Sequence, residues 1–268
     1  MIAVELRKLV LSPRTWVTIA LLDALPTLVA VLLSVTDLGP RPGTGPAFLS
    51  AVLSDGSLFP LAAIAIVLPL FLPAAVAIMA GDAIAGEAQG GTLRYVLIRP
   101  VGRTRLLVAK LVSVVAFVVL AVVIVAATAY VVGSALLGHA HLATSVSGTS
   151  LSSNQVVWRT VLSLAYATLS MLGVAAVALF LSTLTDSPLA ATLGALALLI
   201  ASSSLLTLDA AHALQPYLPT RYWLSFVDLF RDPILWRNVD RGVAIQAVYV
   251  AVFLGAAWAN FTTKDITS

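Results

Sequence analysis

Cysteine is absent from the 268 residues, which excludes disulfides, thiolate chemistry and cysteine-based metal sites. Charge is scarce as well. Charged residues make up 10% of the chain against 60% hydrophobic, whereas an ordinary soluble protein carries about 25% charged residues. A soluble domain of this length has no interior large enough for that much apolar surface, so lipid is the solvent that the composition fits. The mean hydropathy of +1.03 agrees. Catalytic signatures are missing too: there is no G-x-x-x-x-G-K-[ST] loop to cradle ATP phosphates, no H-E-x-x-H and no G-x-S-x-G. No segment is dense enough in Lys or Arg to suggest nucleic-acid binding.

What is present is a series of long apolar runs separated by short polar stretches. The length holds about six spans of ~20 residues each, so the chain reads as one all-α transmembrane domain over residues 1–268. Spans are expected at about 15–35, 58–79, 106–137, 156–184, 189–208 and 241–260. Ahead of them, residues 2–12 read as an amphipathic surface helix. Glu5, Lys8 and Ser12 share one stripe, with Ile2, Leu6, Leu9 and Val10 opposite and Arg7 free to snorkel. The apolar stretch from Trp16 to Val35 is too long for a signal-peptide core and no A-x-A-like site follows it, so it is expected to be a retained span.

Local signals refine this outline. Pro69 and Pro73 are four apart, which predicts one kinked second span. Ser187 is placed to cap a helix that opens on Pro188. Residues Asp209 to Asp240 interleave Tyr217, Tyr222, Trp223, Phe226, Phe230 and Trp236 with charges and prolines. That composition predicts short interfacial or re-entrant helices between spans five and six. With both termini in the cytoplasm, nine basic residues fall inside (Arg7, Lys8, Arg14, Arg94, Arg99, Arg103, Arg105, Lys110, Lys264) and six outside (Arg41, Arg159, Arg221, Arg231, Arg237, Arg241). The positive-inside rule favours that orientation.

Few residues are candidates for chemistry. His139 and His141 form an H-x-H in a polar loop with no third ligand nearby in sequence, and read as exposed loop histidines. Asp23 sits well inside the first span, where a carboxylate costs about 2.5–3.5 kcal/mol on insertion scales. It lines a cavity, pairs with a polar group on a neighbouring helix, or sits neutral against a backbone carbonyl near Pro26. The richest stretch is Gly81 to Lys110, with Asp82, Glu87, Gly90-Gly91-Thr92, Arg94, Arg99-Pro100, Arg103 and Arg105. Its carboxylates, glycines and arginines read as a surface made to dock another protein.

Here a resemblance enters. Glu87, then Gly91-Thr92-Leu93-Arg94, then Arg99-Pro100-Val101-Gly102-Arg103 and Lys110 resemble the first cytoplasmic loop of type-2 ATP-binding-cassette permeases. The surface helix ending in Ser12-Pro13-Arg14-Thr15-Trp16 and the terminal Phe261-Thr262-Thr263-Lys264-Asp265-Ile266 are also similar to that family. The resemblance implies a six-span permease with an N-terminal elbow helix that pairs with a second permease chain, itself or a relative, and docks two cassette ATPase subunits. It places the coupling helix at about Asp82 to Arg94 and marks Asp82, Glu87, Thr92, Arg94, Arg99 and Arg103 as the coupling set. The chain itself would then carry no cofactor, with ATP and Mg on the partner ATPase. The competing reading is an ion-coupled secondary transporter, for which Asp23 is the one carboxylate well inside a span.

Overall fold

In hydrocarbon every backbone N–H and C=O needs a partner within the protein, which for a chain of this pattern selects helices. The computed structural model describes residues 1–36, 55–91, 102–138 and 143–263. Its helices are α1 (Ile2–Leu11), α2 (Pro13–Val35), α3 (Phe59–Val67), α4 (Phe71–Gln89), α5 (Arg103–Leu136), α6 (Ser153–Leu184), α7 (Pro188–Leu205) and α8 (Trp236–Thr263). Among the described residues six of them, α2 and α4 to α8, are long and apolar enough to cross a membrane. The protein is an all-α, multi-pass membrane protein. A small antiparallel hairpin, β1 (Ala143–Thr144) with β2 (Ser150–Leu151), precedes α6.

The second span departs from its expected shape. Instead of one kinked helix over 58–79, the chain forms α3 and α4 with a break at Leu68-Pro69-Leu70. Pro69 has no N–H to continue α3, and its ring crowds the carbonyl four residues back. Pro73 lies in the first turn of α4, where no donor is required. The membrane-crossing piece is therefore α4, which runs on to Gln89. The other helices keep their expected positions with ends shifted by up to about five residues, α7 stopping at Leu205 rather than 208. Helix α5 has 34 residues, about 51 Å at 1.5 Å per residue, well beyond the ~30 Å hydrocarbon thickness. Helix α6 opens on a reciprocal cap: Ser152 N–H donates to Gln155 Oε1 (3.0 Å), and Gln155 N–H donates to Ser152 Oγ (3.4 Å). Helix α7 starts at Pro188, and Ala190 N–H donates to Ser187 Oγ (3.3 Å).

Helix α6 is the hub, packing on α8, α4, α7 and α5. Small residues let these helices approach, as membrane packing requires. A methyl group on Gly173 of α6 would strike Gln246 of α8, and one on Gly242 of α8 would strike the Tyr166 hydroxyl. On the far side, α5 meets the turn before α3 so closely that a Cβ on Gly133 would lie 2.5 Å from the Gly56 carbonyl oxygen and collide with the Cβ of Phe59.

The segment between α7 and α8 consists of short helices, as its composition predicts. It forms 3-10 turns at Asp209–Ala211, Gln215–Tyr217 and Trp223–Phe230, the last packed against α6 and α8 with Trp223, Phe226, Leu229 and Phe230 buried. It closes one end of the bundle as a plug. Tyr166 donates to the Tyr222 carbonyl (2.6 Å) and Gln246 to that of Pro219 (2.8 Å). Arg159, buried in α6, donates to the Arg231 carbonyl (3.0 Å) and pairs with Asp232 (3.7 Å), while Arg231 pairs with Asp228 (2.8 Å).

Gly133→Ala should destabilise the protein by about 1–3 kcal/mol, the usual range for overpacking. A clear fall in the thermal unfolding midpoint in detergent is expected. Gly255→Ala, which meets nothing within 4 Å, should leave that midpoint unchanged.

Candidate functional site

Glu5 and Lys8 lie three residues apart on α1 and so share a face, with Lys8 Nζ 3.1 Å from Glu5 Oε1. Glu5 is largely buried while Lys8 stays 60% exposed, and Ile2, Val4, Val10 and Leu11 are exposed as well. Apolar side chains exposed alongside a lysine free to snorkel suit a helix bedded at a lipid surface. Opposite it, Lys110 of α5 donates to Glu5 Oε2 (2.9 Å) and to Glu87 Oε1 of α4 (2.5 Å), and Lys8 lies 3.6 Å from Glu87. The Lys110 side chain is only 7% exposed, Glu5 14% and Glu87 16%. One ammonium thus joins α1, α4 and α5.

Burial pushes the Glu5 carboxyl upward, but the hydrogen bonds and charges of Lys110 and Lys8 outweigh it and hold the group below its ordinary value of 4.5. For Lys8, burial pulls downward, yet Glu5 and Glu87 win and raise it above 10.5. A carboxyl lowered on folding stabilises above its unfolded value and loses that contribution as pH falls through the folded one. A raised ammonium stabilises below 10.5 and loses its contribution as pH rises through the folded value. The elbow contacts are therefore complete from about pH 5 to 10.

Asp82 and Glu87 lie in the last turns of α4. The helix continues because no breaker intervenes until Gly90 and Gly91, and Gly91 takes the left-handed conformation (φ 68°) that only glycine adopts freely. Asp82 lies over Gly86, where a methyl group would strike its carboxylate. It also faces Arg14 of α2 at 3.8 Å, with side chains 48% and 85% exposed, a contact too wet to contribute much stability. Arg103 opens α5 and donates to the carbonyls of Thr262 (2.9 Å) and Phe261 (3.4 Å), satisfying the C-terminal end of α8. Thr92, Arg94 and Arg99 lie outside the described residues, as do His139, His141 and Lys264. The structure brings Asp82 and Glu87 together at the elbow and sets Arg103 at the root of α8.

Asp23 stands apart from this group. It accepts a 2.6 Å hydrogen bond from Thr128 of α5, which supplies the polar partner on a neighbouring helix. Sequence reasoning also missed Ser182 of α6. Its hydroxyl donates to the Gly81 carbonyl (2.7 Å) and accepts from the N–H groups of Ala85 (2.9 Å) and Ile84 (3.1 Å). It stands across the Gly81–Ala85 step of α4, just where the apolar part of that helix gives way to the charged part. Thr192 of α7 approaches the same helix at the Ala77 carbonyl (3.4 Å). The available signal for the cluster was Lys110, the one charge past the first turn of an apolar helix, and Glu5 on an otherwise basic elbow. A serine in an apolar helix gives no such signal, because most return their hydroxyl to their own backbone.

Residues 27–267 match the model of a family described as proteins of unknown function, DUF2705. The chain belongs to that family. A search of curated proteins finds no match. In this DUF2705 chain the family match runs from the middle of α2 to the end of α8, and so takes in Glu87 and Lys110 but not α1. Among the described residues no group of three or more histidines and carboxylates is arranged to hold a metal.

Lys110→Met should leave two carboxylates facing each other in a poorly solvated place, at a cost of about 3–5 kcal/mol. Amide exchange of residues 2–11 is expected to accelerate sharply, with the membrane helices less affected. Acidification below pH 4.5 should loosen α1 in the wild type in the same way. Arg14→Gln should change elbow exchange by no more than a surface pair is worth, under about 1 kcal/mol.

Proposed function

We propose that this protein is the membrane-spanning subunit of an ATP-driven exporter of the cassette type, lying in the cytoplasmic membrane and worked by separate ATPase subunits. The observation that carries the reading is how the two ends of the α4–α5 connection are anchored. Glu87 and Lys110 fix α4 and α5 to the elbow helix, and Arg103 fixes α5 to the end of α8. A partner that grips residues 90–102 therefore moves four helices together. That is the mechanical requirement for a chain that carries no phosphate-binding loop of its own and draws on hydrolysis elsewhere. The motif around this connection, from Glu87 to Arg103, supports the same reading.

In this scheme Asp82 is an exposed contact for the ATPase, and Thr92, Arg94 and Arg99 are contacts supplied by the connection itself. Glu87 and Arg103 are positioning residues, holding the connection against α1 and α8. The cluster faces the cytoplasm, as do both termini. Two of the basic residues counted against that orientation, Arg159 and Arg231, are occupied in ion pairs within the plug. Two chains assemble with two ATPases, since each chain presents one coupling surface. Exposed apolar side chains on α7 and α8, among them Leu189, Leu193, Val248 and Val252, suit lipid and a second permease chain. A drug, peptide or lipid is the kind of cargo such an assembly moves.

Co-expression with the genomically adjacent ATPase and purification should give a complex of two chains and two ATPases. Asp82→Arg, on an exposed side chain, should weaken ATPase binding about tenfold or more, or uncouple hydrolysis from transport. Asp209→Arg, on the opposite face in this topology, should leave binding unchanged. A complex of one chain with one ATPase that still transports, or a loss of docking confined to Asp209→Arg, overturns the reading.

A further inference from the structure

Beneath α1 lies a polar cavity of about 340 Å³, bounded by α1, the first turn of α2, the charged end of α4 and the start of α5. Its volume falls within the range of small-molecule sites, about 300–1,000 Å³. It lies at the level of the membrane surface. Helix α1 exposes Ile2, Val4, Val10 and Leu11 together with Arg7 and Lys8, and Trp16, exposed beside it, donates to the Val10 carbonyl (2.7 Å), the habit of an interfacial anchor. A cavity at that depth is reached by headgroups.

Its lining is balanced: Lys8, Arg14 and Lys110 against Glu5, Asp82 and Glu87. A ligand with net charge would upset that balance, whereas a neutral one with separated poles would not. The inner four charges are mutually paired in the cluster described above. Arg14 and Asp82, 3.8 Å apart and largely exposed, form the loose pair at the mouth. Beside them lies the N-terminus of α2, where the amides of Arg14 and Thr15 fall in the first turn and have no acceptor within the helix. Ser12 stands at its N-cap without a side-chain cap bond, and Pro13 opens the helix. A second observation points to a ligand. Thr15 lines the cavity, is fully buried, and its hydroxyl has no hydrogen-bond partner among the described residues. Buried hydroxyls are rarely left in that condition without something to fill the place.

We propose that this cavity binds a phosphoethanolamine group. The phosphodiester accepts from Thr15 Oγ1, the first-turn amides of α2 and the Arg14 guanidinium, while the ammonium takes the Asp82 carboxylate. Each member of the loose Arg14–Asp82 pair exchanges its present neighbour for the opposite pole of the ligand. A phosphate and an ammonium two carbons apart match a cation and an anion held side by side. An anionic headgroup would bring phosphate to Arg14 but leave Asp82 facing negative charge. The site shares Asp82 with the proposed ATPase contact, but lipid retention is read on this chain without the ATPase, so the inference stands whether or not the transport reading does.

The test is lipid retention by the full chain. Protein reconstituted in equal parts of phosphatidylethanolamine and phosphatidylglycerol, then returned to detergent, should keep phosphatidylethanolamine in preference, read by native mass spectrometry. Thr15→Val and Arg14→Gln should each weaken retention by about tenfold or more, the loss of a charge-assisted hydrogen bond, whereas Thr15→Ser should keep it. Asp82→Asn should turn the preference toward phosphatidylglycerol, because Arg14 then meets phosphate with no nearby carboxylate to oppose it. A purely structural role for Asp82 would not change the identity of the lipid. Soluble glycerophosphoethanolamine serves as a competitor: displacement at equal concentration assigns the site to the free phosphodiester, and no displacement assigns it to the lipid. Equal retention across all variants, or a wild-type preference for phosphatidylglycerol, overturns the proposal, with thermal unfolding of each variant confirming that it is folded.

Discussion

The Lys110 ammonium sits 7% exposed on a helix that is apolar beyond its first two turns. A charge so placed would cost several kcal/mol if it stood alone. It is held because Glu5 and Glu87 reach it from two other helices, and the register of α1, α4 and α5 against one another follows from that meeting. The elbow cannot slide along the bundle without separating Lys110 from Glu5, and α4 cannot rotate without withdrawing Glu87. Because α2 follows α1 after a single residue, Ser12, the entry angle of the first span depends on the same ammonium.

The rest of the bundle is fastened by polar groups at its two ends and by small residues between them. Arg103 meets the last carbonyls of α8, and Asn260 donates to both the carbonyl and the hydroxyl of Thr183 at 3.0 Å. At the opposite end Arg159 reaches the plug, and Ser202 and Thr220 share a 2.7 Å hydrogen bond between α7 and the plug. Within hydrocarbon, apolar side chains gain little by leaving lipid for one another. Polar contacts and close backbone approach, as at Gly173 and Gly242, therefore decide how the helices sit.

Composition made the membrane class legible, and the apolar runs located the spanning helices because lipid demands ~20 apolar residues in succession. Ser187-Pro188 announced the start of α7 for a purely local reason. The break before α4 was less readable. Pro69 and Pro73 look alike in sequence, and their different effects depend on where each falls relative to a helix start. Glu87 was visible as an unusual residue, but its partners Glu5 and Lys110 lie 82 and 23 positions away, and a long-range ion pair leaves no periodicity. The aromatic segment was legible as short interfacial or re-entrant helices from its mixture of charges and rings. Which of its helices turns inward was not, because the burial of Phe226 and Phe230 goes with partners that Asp228, Arg231 and Asp232 find in the fold.

Ser182 has one further consequence. A single hydroxyl serves three backbone groups of α4, those of Gly81, Ile84 and Ala85, and uses its full capacity of one donated and two accepted bonds. All three lie in the interior of α4 and keep partners within that helix, so displacement of α4 along α6 costs the three bonds to the hydroxyl without leaving the backbone unpaired. The joint therefore behaves as a detent: the two helices travel as one body over small displacements, and part when the hydroxyl releases all three groups together.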